Sequence, residues 1–204
     1  MVSQERDCLL YLISPPALEP AAFADILRKT LAAAPGRIGA FLLRLDADET
    51  AVKQAASYLQ PLCAEYGVAF MLEGHPELAA ALDADGVHLA DASSPVSAVR
   101  GLLGKGRMLG IACGTSRDLA MRVGNDGADY VAFTASDNAI CDTLEWWQTF
   151  FILPCVAYDG VNPANCTQLV QAGADFLAID DIWHDPATQV AAFDKAVTEA
   201  LQTV

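Results

Sequence analysis

Basic charge, long apolar runs and paired cysteines are what this chain has least of. No apolar stretch reaches the roughly 18–20 residues that span a bilayer, so no membrane partner is expected. Lys and Arg number 12 against 26 Asp and Glu, a net charge of −14 with no basic cluster, which argues against a nucleic-acid partner. The six cysteines (Cys8, Cys63, Cys113, Cys141, Cys155 and Cys166) show no CxxC or His-paired spacing. They read as reduced core thiols rather than disulfides or zinc ligands. The opening residues, 1–7, lack the basic-then-apolar build of a signal peptide, which predicts a cytoplasmic protein. There is no linker or low-complexity stretch, and no GxGxxG turn of the kind that opens a dinucleotide-binding sheet.

What remains is core material. Of 204 residues, 53% are hydrophobic, enough for one large domain covering 1–204. A motif recurs at Ala84-Asp85-Gly86-Val87-His88-Leu89, Gly127-Ala128-Asp129-Tyr130-Val131 and Gly173-Ala174-Asp175-Phe176-Leu177, with its aspartates 44 and 46 residues apart. Such a period marks a repeated architecture. Short apolar runs alternate with amphipathic segments throughout. Strands are expected at 8–14, 38–45, 68–72, 86–89, 107–113, 130–133, 151–157 and 176–179. Helices are expected at 20–33, 48–66, 76–82, 95–103, from Thr115 or Ser116 to 124, 142–150, 162–173 and 186–201. Non-alternating apolar strands between helices imply an all-parallel sheet. Eight units predict a single α/β (β/α)8 TIM barrel with eight outer helices, with an open doubly wound sheet as the runner-up. The motif copies fall on even strands, so Asp85, Asp129 and Asp175 are expected as turn or cap residues at the stability face. Any site belongs at the opposite, C-terminal strand ends.

Together with Leu10-Tyr11-Leu12-Ile13-Ser14 and Pro154-Cys155-Val156-Ala157 followed by Gly160, these motifs resemble thiamine-phosphate synthase and its relative, the TenI thiazole tautomerase, over nearly the whole chain. The resemblance implies a magnesium-dependent joining of a pyrimidine diphosphate to a thiazole phosphate with release of diphosphate. Residue by residue, the expected site is altered. The strand-two pattern Gln-x-Arg-x-Lys reads Leu42-Leu43-Arg44-Leu45-Asp46, keeping only Arg44. Glu73-Gly74 stands for Asn-Asp, and Ala90-Asp91-Ala92-Ser93 for Gly-Gln-x-Asp, at the two positions from which the family holds magnesium. Strand five ends in Ala112-Cys113-Gly114 where the family has Ser and His, and the tautomerase depends on that His. The diphosphate-gripping loop is shortened to Thr134-Ala135-Ser136-Asp137-Asn138 without its lysine. One of two glycines survives in Asp159-Gly160, and Asp180-Asp181 replaces the phosphate-binding turn after strand eight.

These changes place Asp46, Glu73, Asp91, Asp137, Asp159, Asp180 and Asp181 around one rim. Like charges about 4 Å apart interact by roughly 4 kcal/mol at an effective dielectric of 20, so the rim opposes a diphosphate. It suits a cation, or carboxylates that raise one another's pKa. Several of the seven read equally as helix N-caps. Arg44 is either an anion anchor or the ion-pair partner of Asp46 or Glu73. His75, Cys113 and Thr134 complete the candidate ligand contacts, and His88 reads as a satisfied core histidine. Trp146 and Trp147 read as packing residues and His184 as a surface residue.

The expectation is a thiamine-phosphate synthase/TenI-like barrel with an acidic, diverged site, catalytically silent or a ligand-binding or regulatory member of thiamine metabolism. No cofactor is expected, magnesium only if synthase activity persists with Glu73 and Asp91 as displaced ligands. A different enzyme using the carboxylate rim, or a structural or interaction barrel, would fit the same residues. A small-molecule ligand is the expected partner, with homo-oligomerisation left open.

Overall fold

The computed structural model describes residues 7–136 and 139–203. Eight strands close on themselves in sequence order, every neighbouring pair parallel. The strands are β1 (Leu9–Ile13), β2 (Ile38–Leu43), β3 (Ala69–Glu73), β4 (Gly86–Leu89), β5 (Met108–Gly114), β6 (Tyr130–Thr134), β7 (Cys155–Tyr158) and β8 (Phe176–Ile179). The helices are α1 (Pro20–Ala33), α2 (Glu49–Glu65), α3 (Pro76–Ala81), α4 (Val96–Leu103), α5 (Arg117–Asn125), α6 (Ile140–Phe150), α7 (Cys166–Ala172) and α8 (Pro186–Leu201). This is the expected (β/α)8 barrel. No described helix is long and apolar enough to cross a membrane.

Each strand serves two apolar layers, because alternate side chains leave opposite faces of a strand. Leu10, Leu12, Phe41, Leu43, Val131 and Phe133 turn outward and pack under the helices. Tyr11, Ile13, Leu42, Met71, Tyr130 and Val156 turn inward and form a second, smaller cluster along the barrel axis. Both faces being apolar is why the strands show no polar alternation. Inside, Gly110 has no room for a side chain: a Cβ there would lie 1.8 Å from Cζ of Tyr130, whose ring crosses the barrel at that level.

Helix starts follow local chemistry. Asp48 accepts the N–H of Ala51 to cap α2, and Ser116 accepts that of Leu119 to cap α5. Several boundaries differ from expectation by one or two residues, and those of β7 and α7 by more. β7 begins at Cys155 rather than Phe151, because Phe151 stacks on Trp147 (ring centroids 4.1 Å apart) and Trp147 donates its indole N–H to Leu153. α7 begins at Cys166 because the Asn162 side chain accepts the N–H groups of Ala164 and Asn165, holding Asn162 to Asn165 as a turn. α6 begins at Ile140, two residues early.

Candidate functional site at the barrel mouth

At the C-terminal strand ends, the inward-facing parity carries a further set of polar residues. Continuing Ala40 and Leu42 gives Arg44. Continuing Met71 gives Glu73, Ala132 gives Thr134, Val156 gives Tyr158, and Ala178 gives Asp180. Ser14 ties the first two strand ends together: its hydroxyl donates to the Arg44 carbonyl and accepts the Arg44 N–H, each at 2.9 Å. Arg44 Nη2 then meets Asp180 Oδ2 at 3.1 Å, not Asp46 or Glu73 as expected, because Glu73 is turned to Tyr158. Opposite, the Tyr158 hydroxyl donates to Glu73 Oε1 at 3.4 Å.

Burial raises the Glu73 pKa, opposed by the Arg44 charge and the Tyr158 bond. Burial also raises that of Tyr158, reinforced by the Glu73 charge. Below them the Tyr158 ring stacks on His88, with centroids 4.8 Å apart. His88 Nδ1 lies 3.0 Å from the Tyr130 hydroxyl, which lies 2.9 Å from that of Tyr11. Burial and then the Arg44 charge push the His88 pKa down to about 3, so the ring is neutral. His88 is only half satisfied, contrary to expectation, because its Nε2 is buried without a partner.

Two clefts adjoin this centre. One, of about 360 Å³, is lined by Ser14, Arg44, Asp180, Asp181, Trp183 and His184 among others. The other, of about 250 Å³, lies between β5 and α6 and is lined by Gly114, Thr115, Thr134 and Thr143 among others.

The six described rim carboxylates do not form one ring. Glu73 and Asp180 face inward, and Asp181 lines the larger cleft. Asp46, Asp91 and Asp159 are exposed. Asp91 accepts the N–H of Ser93 in a local turn, while the cap of α2 is Asp48 and not Asp46. Asp159 has φ 54° in the turn before Gly160, whose carbonyl accepts from the side chains of Asn162 and Asn165. His75 begins α3 without a side-chain cap bond and acts electrostatically on Glu73. Asp137 lies outside the described residues. Cys113 is not at the mouth. It points outward into the layer beneath the helices, and burial pushes its thiol up to about 12.

Sequence reasoning missed Ser14, Trp183 and the Tyr11-Tyr130-Tyr158 set. Its available signal was three tyrosines within or at the end of short apolar runs. Trp183 fixes the loop before α8 by donating to the Ile13 carbonyl at 2.8 Å.

The Glu73 carboxylate accepts from Tyr158 and that of Asp91 from Ser93, and among the described residues no three His, Cys, Asp or Glu side chains are grouped to hold a metal ion.

A closed eight-stranded parallel barrel with surrounding helices defines the TIM-barrel class, in which sites sit at the C-terminal strand ends. Residues 10–180 match the family described as thiamine monophosphate synthase. The thiamine-phosphate synthase of Rhodospirillum centenum is 43% identical over 91% of this chain and 94% of its own length. That of Erythrobacter litoralis is 37% identical over 98% and 100%. The thiamine phosphate pyrophosphorylase structure from Pyrococcus furiosus superposes with a TM-score of 0.81 over 94% of this chain and 96% of that one, at 23% identity. The chain belongs to the thiamine-phosphate synthase family.

Proposed function

We propose that this family member binds a small ligand at its mouth and does not carry out the diphosphate-releasing coupling. The observation that carries the reading is the Arg44–Asp180 pair. Arg44 is the one cation left of the family's strand-two pattern, and it is engaged by a carboxylate standing where the resemblance expects a phosphate-binding turn. A phosphate would have to displace Asp180 and then sit beside Asp181, at the edge of the same cleft. Both carboxylates favour an uncharged or cationic ligand there, such as a thiazolium compound. The reading takes the protein to be cytoplasmic, as its six free thiols favour, with no nucleic-acid partner at a net charge of −14. It requires no cofactor and leaves room for a homo-oligomer.

A second reading, retained synthase activity, is favoured by the names of the relatives at 43% and 37% identity. Purified protein incubated with the pyrimidine diphosphate, the thiazole phosphate and magnesium separates the two. The proposal expects no thiamine phosphate or diphosphate above the blank, together with thermal stabilisation by thiazolium compounds and not by diphosphate. Magnesium-dependent product formation would establish the second reading and sink the first.

A further inference from the structure

The opposite end of the barrel holds a hollow. TIM barrels ordinarily fill their interior with layers of bulky branched side chains. Here Ala40 and Ala69 occupy inward positions at the lower ends of β2 and β3, and a cavity of about 170 Å³ remains. It lies among residues at the N-terminal ends of the strands and is partly open to solvent there. Its deeper walls are the rings of Tyr11 and Tyr130, and Met71, Met108 and Phe176 complete its sides. The two tyrosine hydroxyls are engaged with each other, and that of Tyr130 also with His88. Asp129 lies at the rim, but its carboxylate accepts the Leu109 N–H and is paired with Arg100.

We propose that this hollow is a binding site for an uncharged single-ring aromatic molecule. Three features select that class. A dry apolar cavity of about 150 Å³ accommodates one benzene-sized ring, so the volume suits a single ring. Two aromatic edges and two thioethers offer the contacts that rings favour over aliphatic chains. A charged ligand would lose its hydration with no free counter-charge to replace it. The site is at the opposite end of the barrel from the mouth and does not rest on what the mouth binds.

The test labels methionine methyl groups with ¹³C and titrates toluene into the full-length protein. Met71 and Met108 line the hollow, whereas Met121 lies on α5 and serves as an internal control. The expected result is a saturable shift of the Met71 and Met108 methyl signals, with Met121 unmoved and a Kd of about 1 mM or below. Ala69→Leu should fill the hollow and weaken binding at least about tenfold, and Ala40→Val provides the same test should the larger substitution prevent folding. Benzamidinium, of similar shape but charged, should not shift either signal. Shifts that fail to saturate, that include Met121 equally, or that persist in the folded filling variant would overturn the proposal. Equal binding of benzamidinium would overturn it too.

Discussion

The carboxylate of Asp129 accepts the backbone N–H of Leu109 at 2.7 Å, joining the residue before β6 to the lower end of β5. Asp85 does the same to Phe70 of β3 at 2.7 Å, and Asp175 to Cys155 of β7 at 2.8 Å. Each motif aspartate thus clamps an even strand to the odd strand before it. At the equivalent place before β2 stands Arg37, which donates instead to the Cys8 carbonyl, Asp7 and Asp194. The repeat is a device for pairing strands at the stability face, not a ligand signature. Asp175 also accepts from Gln148, so Asp175→Ala orphans the Cys155 backbone donor and removes one of the Gln148 amide's two bonds. Losing a hydrogen bond to a charged group costs about 1.5–3 kcal/mol, and urea denaturation should show a loss of that size with unchanged ligand binding at the mouth.

Gly110 and Tyr130 provide a second stability test. A methyl at Gly110 would occupy the Tyr130 ring position, and neither a buried ring nor a strand backbone yields easily. Gly110→Ala should destabilise by about 1–3 kcal/mol or more. Combining it with Tyr130→Ala should give a double variant less destabilised than the sum of the two singles, because the second change removes the clash. Strict additivity in denaturation midpoints would contradict this packing.

The eight units were legible because buried parallel strands and amphipathic helices differ in length and pattern, and because Pro, Gly, Ser and Asp punctuate them. The apolar run Phe151-Ile152-Leu153 imitated a strand start, yet it wraps the end of α6 through the Phe151 ring while Ile152 stays exposed. At the mouth, Arg44, Glu73 and Asp180 stood out as charges ending apolar runs. Their partners did not. Pairing Arg44 with Asp180 joins residues 136 apart in sequence, and Tyr158 with Glu73 joins residues 85 apart. The link from His88 through Tyr130 to Tyr11 was hidden because an apolar strand face does not reveal which polar residue crosses the axis.

Asp180→Asn should release Arg44 without emptying its place. The two side chains are 31% and 43% exposed, so their pair contributes no more than about 1 kcal/mol to stability and the fold should tolerate the change. Freed of its carboxylate partner, Arg44 becomes available to an anion. Inorganic phosphate should bind about two- to fivefold more tightly by calorimetry than to the unaltered protein, with the gain shrinking as salt rises. An unchanged affinity would show that Asp180 does not occupy the anion's place on Arg44.

His88 makes stability depend on pH in a definite direction. Its ring is neutral in the fold because burial, then the Arg44 charge, holds its pKa near about 3, against an ordinary value of about 6.5. The unfolded chain therefore takes up a proton that the folded chain refuses. Stability from this group is fully present above the ordinary value and is lost as pH falls through the window between the two values. The greatest slope is that of one proton, about 1.4 kcal/mol per pH unit. Glu73, whose pKa is raised by burial, acts in the opposite sense, and the remaining carboxylates contribute as well. A comparison with His88→Gln cancels much of this background, since glutamine cannot titrate. Between pH 7 and pH 4.5 the unaltered protein should lose more stability in urea than the variant does. Parallel losses would mean that the imidazole is not held neutral beneath Tyr158.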